Sequence, residues 1–295
     1  MKIITYIDND TEKVGLVSND GQRVFPIKTL GYAFESVNAL IDGADDATWA
    51  KLKRLVNDPQ QTGAIAFDQV KLTAPIPHPK RDVLALGLNY IDHVNEVAKY
   101  MDEDPAKRAE PIFFAKHVDR AVGEGEATPA HADFISSWDY EVELTVVLKK
   151  EINHFVKPEA VEDYILGYTI VNDMTARELR KHVESFFQKS LDGSTTMGPW
   201  IVTADELPFP PAKRIRLWVN DELRQESNTG NLVFSIAECL STLSKGMTLR
   251  AGEILATGTP NGVGAGMVPE NYLKAGDHIK SEIDGIGQLN INVKD

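Results

Sequence analysis

Cysteine is almost missing from this chain: Cys239 stands alone among 295 residues. No internal disulfide can form, which excludes a disulfide-stapled scaffold and fits a reducing, cytoplasmic setting. Long apolar runs are missing as well, and none approaches the roughly 20 residues that a membrane-spanning helix needs. The opening Met1-Lys2-Ile3-Ile4-Thr5-Tyr6 soon meets acidic residues and is not read as a secretory signal. Positive charge is scarce: 31 Lys and Arg against 44 Asp and Glu leave a formal net charge of −13. Nucleic acid and anionic membrane are therefore not expected as partners, since either calls for a basic face. A small anionic substrate stays open, because a few local cations can dominate a pocket. There is no internal repeat and no low-complexity tract.

What is present reads as an α+β, strand-rich chain in two parts. Short apolar runs near 3–7, 13–18 and 24–27, separated by polar turns, predict three strands. Weakly amphipathic segments follow near 34–42 and 46–57, then a strand near 70–72. The run Ala74-Pro75-Ile76-Pro77-His78-Pro79 holds three prolines in six residues and suits neither helix nor central strand. It is read as a linker between a small N-terminal α+β domain, residues 1–75, and a larger domain, residues 76–295.

In the larger part, Asp139-Tyr140-Glu141-Val142-Glu143-Leu144 alternates with period two and predicts a half-buried strand. Glu141 and Glu143 then share one face, and Tyr140, Val142 and Leu144 the other. Adjacent carboxylates repel, so solvent, a cation or a shared proton must compensate. Asp173 ends a second apolar strand, Gly167 to Asp173. Three carboxylates from two strands form an oxygen-rich set suited to Mg²⁺ or Mn²⁺. Read alone, Glu141 and Glu143 fit a solvated strand face better than a metal site.

His93 and Glu96 are three apart in a predicted helical start, Ile91 to Ala98, where they lie on one face. A His held by a carboxylate is a general-base arrangement, and also a common surface pair. Residues 97–110 are charged and read as a loop with a short helix. Lys116 ends an apolar strand and faces either a pocket or solvent. After Asp173, Thr175-x-x-Glu178 has the form of a capping box, with apolar residues at 176, 179, 183, 186 and 187 on one helical stripe. Asn220-Asp221 predicts a hairpin turn between strands 216–219 and 222–225, and 234–245 predicts a helix. The glycine-rich Gly258 to Gly264 matches neither a Walker nor a dinucleotide pattern and precedes no helix.

Several stretches then coincide in order with one pattern. They are Gly87-Leu88-Asn89-Tyr90 with His93, Phe113-Phe114-Ala115-Lys116, Asp139 to Leu144, and Asn172-Asp173-Met174-Thr175-Ala176-Arg177. Lys189-Ser190-Leu191-Asp192, Met197-Gly198-Pro199-Trp200, Val219 to Gln225, and Thr257-Gly258-Thr259-Pro260 with Gly262-Val263-Gly264 complete it. Over roughly 76–295 the chain closely resembles the fumarylacetoacetate hydrolase superfamily, most of all its bacterial acylpyruvate hydrolases, oxaloacetate decarboxylases and isomerase/decarboxylases of aromatic catabolism. The resemblance implies a mixed β-roll or barrel, usually a homodimer, acting on a small 2-oxo acid. By the same resemblance, Glu141, Glu143 and Asp173 are the ligands of Mg²⁺ or Mn²⁺. His93 and Glu96 are the catalytic dyad, Lys189 and Lys116 line the site, and Thr259 meets the substrate carboxylate. C–C bond hydrolysis of an acylpyruvate is the first expectation, with oxaloacetate decarboxylation or isomerisation as alternatives. One position departs from the family: Arg180 stands where Gln is frequent. It either meets a second substrate carboxylate or points along the helix to solvent.

Overall fold

The structure, a computed structural model, describes residues 1–98, 109–181 and 185–295. The expected loop over 97–110 falls largely outside these residues, as does Val183 of the helix expected after Asp173. The N-terminal segment supplies β1 (Lys2–Asp8), β2 (Thr11–Val17), β3 (Arg23–Pro26), α1 (Val37–Gly43), α2 (Asp46–Val56), β4 (Ile65–Ala66) and β5 (Lys71–Leu72). The β1–β2 hairpin turns on Asn9 and Asp10, with φ of 49° and 57°. Short polar side chains tolerate this left-handed backbone, which matches the twist of the flanking strands. Ser36 and Asp45 cap α1 and α2 by accepting from the backbone amides of Ala39 and Thr48.

The 76–295 segment supplies β6 (Val83–Gly87), α3 (Ile91–Ala98), β7 (Ile112–Lys116), β8 (Ala127–Pro129), β9 (Trp138–Asp139), β10 (Val142–Leu148) and β11 (Ile165–Asp173). Then come β12 (Thr175–Ala176), α4 (Phe186–Lys189), β13 (Thr195–Thr203), β14 (Arg214–Val219) and β15 (Glu222–Asn228). Helix α5 (Ile236–Ser244), β16 (Ile254–Ala256), β17 (His278–Ile283) and β18 (Gly287–Lys294) complete it. Among the described residues the main sheet has eleven strands, ordered β4-β3-β2-β1-β13-β11-β10-β16-β6-β7, with β5 paired to β1. The N-terminal strands join it through β1, which runs antiparallel to β13. A five-stranded sheet, β15-β14-β17-β18-β8, packs beside it. Both sheets are open and mix parallel with antiparallel pairs, so the strand-rich α+β expectation holds.

Strand β10 is buried on both faces, not half-buried. Val142, Leu144 and Val146 pack with Leu217, Ile279 and Leu289 of the second sheet. On the other face Val147 joins Val171, Ile201 and Ile254 in a core that holds Leu40, Trp49 and Leu52 of the N-terminal helices. The polar alternation at the start of β10 therefore does not mark a solvated face. It marks side chains kept polar inside the protein.

The single helix expected over 175–187 does not form. Thr175 and Ala176 pair with Asp139 and Trp138 as β12, and a 3-10 turn spans Arg177–Lys181. Among the described residues of this stretch, only Phe186–Lys189 is α-helical. The capping box is not made: Thr175 Oγ1 donates to Asp173 O, and the Glu178 carboxylate accepts from Ser136 and Ser137. Tertiary pairing has overridden local propensity.

Candidate active site

The two-strand register brings the carboxylates together. Val142 lies opposite Asn172 and Glu143 opposite Val171. One step outward, Asp173 N donates to Glu141 O at 2.8 Å. Directly opposed side chains share a face, so Asp173 joins Glu141 and Glu143. Their oxygens lie within 4.8 Å of one another. Glu141, Glu143 and Asp173 are 5%, 1% and 0% exposed, so water does little to relieve their repulsion.

Among the described residues, three cations face four buried carboxylates, the fourth being Asp139. Lys189 Nζ lies 2.6 Å from Glu141 Oε2 and 2.7 Å from Asp173 Oδ2. Lys116 Nζ lies 2.5 Å from Asp173 Oδ1 and donates to Lys189 O at 2.5 Å. Arg177 bridges Asp139 Oδ2 at 2.8 Å and Glu141 Oε1 at 2.6 Å. Burial alone would raise the Glu141 carboxyl, but Lys189 and Arg177 outweigh it and hold the group well below the usual carboxylate range. Burial opposes charge on Lys189 too, yet Asp173 and Glu141 keep its ammonium above the ordinary lysine value. Lys116 goes the other way: burial lowers it and Asp173 offsets only part.

Glu143 has no cation partner among the described residues. Its Oε2 accepts from Gly258 N at 2.8 Å. Burial, then Asp173 and Glu141, push its carboxyl well above the ordinary range. The unmatched negative charge of the cluster thus sits on an all-oxygen donor set. That fits a hard divalent cation held by Glu141, Glu143 and Asp173.

A cleft of about 1130 Å³ opens beside this cluster, and His93, Glu96, Arg177 and Arg180 line it. Helix α3 carries the dyad, and its entry is pinned by Asn89. The Asn89 Nδ2 group donates to Thr257 O at 2.9 Å, and its Oδ1 accepts from Phe234 N at 2.9 Å. His93 Nδ1 lies 2.8 Å from Glu96 Oε2, and Glu96 Oε1 accepts from Gly262 N at 3.0 Å. With both oxygens engaged, the carboxylate orients the ring and leaves Nε2 without a partner among the described residues.

Two predicted substrate residues are placed away from the cleft wall. Lys116 is fully buried and directs its ammonium at Asp173. The Thr259 hydroxyl donates to Val142 O at 3.0 Å and accepts from Gln225 Nε2 at 2.8 Å. Gln225 Oε1 in turn accepts from Val142 N at 3.0 Å, so this pair clamps the start of β10.

The sequence reading passed over Asp139 and Arg177 as functional groups. Asp139 accepts from Arg177 Nε at 2.8 Å, Gly264 N at 2.7 Å and Ala265 N at 3.0 Å. The glycine-rich loop does bind anions, but they are the protein's own: Glu143, Glu96 and Asp139 each accept from one or two of its amides. The available signal was the placement of Asp139 two residues before Glu141, which puts it on the same strand face.

The family described as fumarylacetoacetate (FAA) hydrolase C-terminal matches residues 82–294. The chain is 38% identical over 286 residues to the oxaloacetate tautomerase YisK of Bacillus subtilis (strain 168), covering 95% of this chain and 92% of that one. Its structure is similar to fumarylacetoacetate hydrolase from the psychrophile Exiguobacterium antarcticum, with a TM-score of 0.85 and 34% identity over 100% of this chain and 99% of that one. It is also similar to maleylpyruvate hydrolase from Sphingobium sp. SYK-6, solved with manganese(II) and pyruvate, at a TM-score of 0.75 and 29% identity over 100% and 99% of the two chains. The chain belongs to the fumarylacetoacetate hydrolase family.

Proposed function

We propose that this protein is a divalent-metal-dependent enzyme that enolises a 2-oxo acid, with oxaloacetate as the leading substrate. One juxtaposition carries the reading: a His–Glu dyad and a cluster of three buried carboxylates are tied to the same glycine-rich loop, through Glu96 on Gly262 N and through Glu143 on Gly258 N. The near full-length similarity to an oxaloacetate tautomerase supports it. A Mg²⁺ or Mn²⁺ ion at Glu141, Glu143 and Asp173 supplies Lewis-acid polarisation of the 2-oxo group when bound. The chain's own residues do the rest. Glu96 fixes the His93 ring, so that Nε2 takes a proton from the carbon beside the oxo group. His93 then returns it to the oxo oxygen, giving the enol with no atom gained or lost. Lys189 and Arg177 offset negative charge that develops on that oxygen.

A second reading is C–C bond hydrolysis of an acylpyruvate, with the dyad taking its proton from water. The cleft volume favours it, because about 1130 Å³ exceeds what a four-carbon acid fills. The test is a screen of 2-oxo acids with Mg²⁺ or Mn²⁺ that follows enol absorbance, CO₂ and carboxylic-acid products separately. Accelerated keto–enol exchange of oxaloacetate, lost in Glu141→Ala, is the expected result. Full activity in Glu141→Ala would remove the metal role, and carboxylic-acid release alone would install the hydrolase reading.

A further inference from the structure

Resting on that reading of the cleft, we infer that Arg180 selects 2-oxo acids bearing a second carboxylate. The charged side chains lining the cleft are His93, Glu96, Arg177, Glu178, Arg180 and Glu270. All but one are committed. His93 and Glu96 hold each other, and Arg177 is shared between Asp139 and Glu141. Glu178 is taken by Ser136 and Ser137, and Glu270 accepts from the Tyr272 hydroxyl at 2.8 Å. Arg180 is exposed and makes no hydrogen bond or ion pair among the described residues.

Its placement follows from local geometry. Arg177 and Arg180 lie three apart in the 3-10 turn Arg177–Lys181. Side chains at that spacing eclipse in a 3-10 helix, and three residues rise roughly 6 Å. Both guanidiniums therefore reach the same cleft, Arg177 toward the carboxylate cluster and Arg180 one turn away. A guanidinium binds a carboxylate through two parallel N–H bonds, and an uncommitted one needs no existing pair to be broken. Much of the remaining wall is apolar, including Leu88, Met267 and Val268, so among the described residues a second charge on the substrate has Arg180 as its free partner. A monoacid that spends its carboxylate at the deep end leaves Arg180 idle. A short diacid reaches both.

The test compares two unreactive ligands that share one chelating end. Lactate and malate both present a carboxylate beside a hydroxyl, and malate adds a second carboxylate. Calorimetric titration of the Mn²⁺-loaded full chain should show malate preferred over lactate, and Arg180→Gln should reduce that preference by about 10- to 100-fold. Arg180→Lys should restore part of it. In turnover, the ratio of kcat/KM for oxaloacetate to that for a matched monocarboxylate should fall by a similar factor. An unchanged preference in Arg180→Gln, equal loss for both ligands, or no binding of either overturns the assignment. Failure of the wild type to turn over any 2-oxo acid, with the malate preference intact and Arg180-dependent, would instead overturn the catalytic reading.

Discussion

Asp139 shows how much of this site rests on one side chain that touches no substrate. It is fully buried and satisfies two loop amides, its neighbour's amide and the Arg177 guanidinium. Replacing it leaves Arg177 with Glu141 alone and strands the Gly264 and Ala265 amides. Removing one partner of a buried pair costs more than the pair itself contributes, because the other charge stays desolvated. Asp139→Ala should lower the unfolding free energy by about 3 kcal/mol, measured by urea denaturation. A change within about 0.5 kcal/mol would show that water enters and replaces the carboxylate. At this scale the sequence was uneven. Glu141, Glu143 and Asp173 were legible, because period-two spacing and a strand end can be read directly. Lys116 and Thr259 could be picked out as residues, but the protein groups they meet, Asp173 for Lys116 and Val142 and Gln225 for Thr259, could not. A strand-end lysine looks the same in sequence whether it faces a cleft or a buried aspartate.

Among the elements, the loop from Gly258 to Ala265 and the turn after Asp173 teach opposite lessons. The loop was legible as glycine-rich and as unlike a nucleotide site, but its purpose was not. Its amides serve side chains brought in from β10 and α3, contacts that no local pattern encodes. Gly262 has a φ of 93°, and a Cβ there would sit 2.0 Å from Arg224 O. Gly262→Ala should therefore destabilise the fold by more than about 1 kcal/mol and release Glu96 from its amide. The expected kinetic signature is a fall in kcat, measured at saturating metal and substrate. A variant with normal kcat would show that Glu96 needs no backbone anchor. The turn after Asp173 failed for the reverse reason. Its apolar spacing fits a helix, yet strand pairing with β9 claims Thr175 and Ala176, and Ser136 and Ser137 claim Glu178. The hairpin turn at Asn220-Asp221 was read correctly because its chemistry is local.

For the whole molecule, composition marked residues 74–79 as a linker, and that stretch forms no strand or helix. Composition cannot show that β1 pairs with β13 some 200 residues later, or that Met1 N donates to Thr203 Oγ1 at 2.8 Å. The buried charge imbalance has a global readout. Mn²⁺ at 100 times its Kd should stabilise the chain by about 2.7 kcal/mol, seen as a higher Tm. Glu143→Gln should raise the metal-free Tm, because it removes a buried carboxylate without a cation, and should abolish the Mn²⁺-dependent rise. A wild-type Tm indifferent to divalent ions would contradict the cation assignment. The central place of β10 has a consequence for motion. Strands flanked on both sides and sealed on both faces exchange their amide hydrogens only when the whole domain opens, whereas short peripheral helices open locally. Amides of helix α3 are therefore expected to exchange faster than those of β10, so that in a hydrogen-exchange experiment the dyad and the carboxylate floor report on openings of different size.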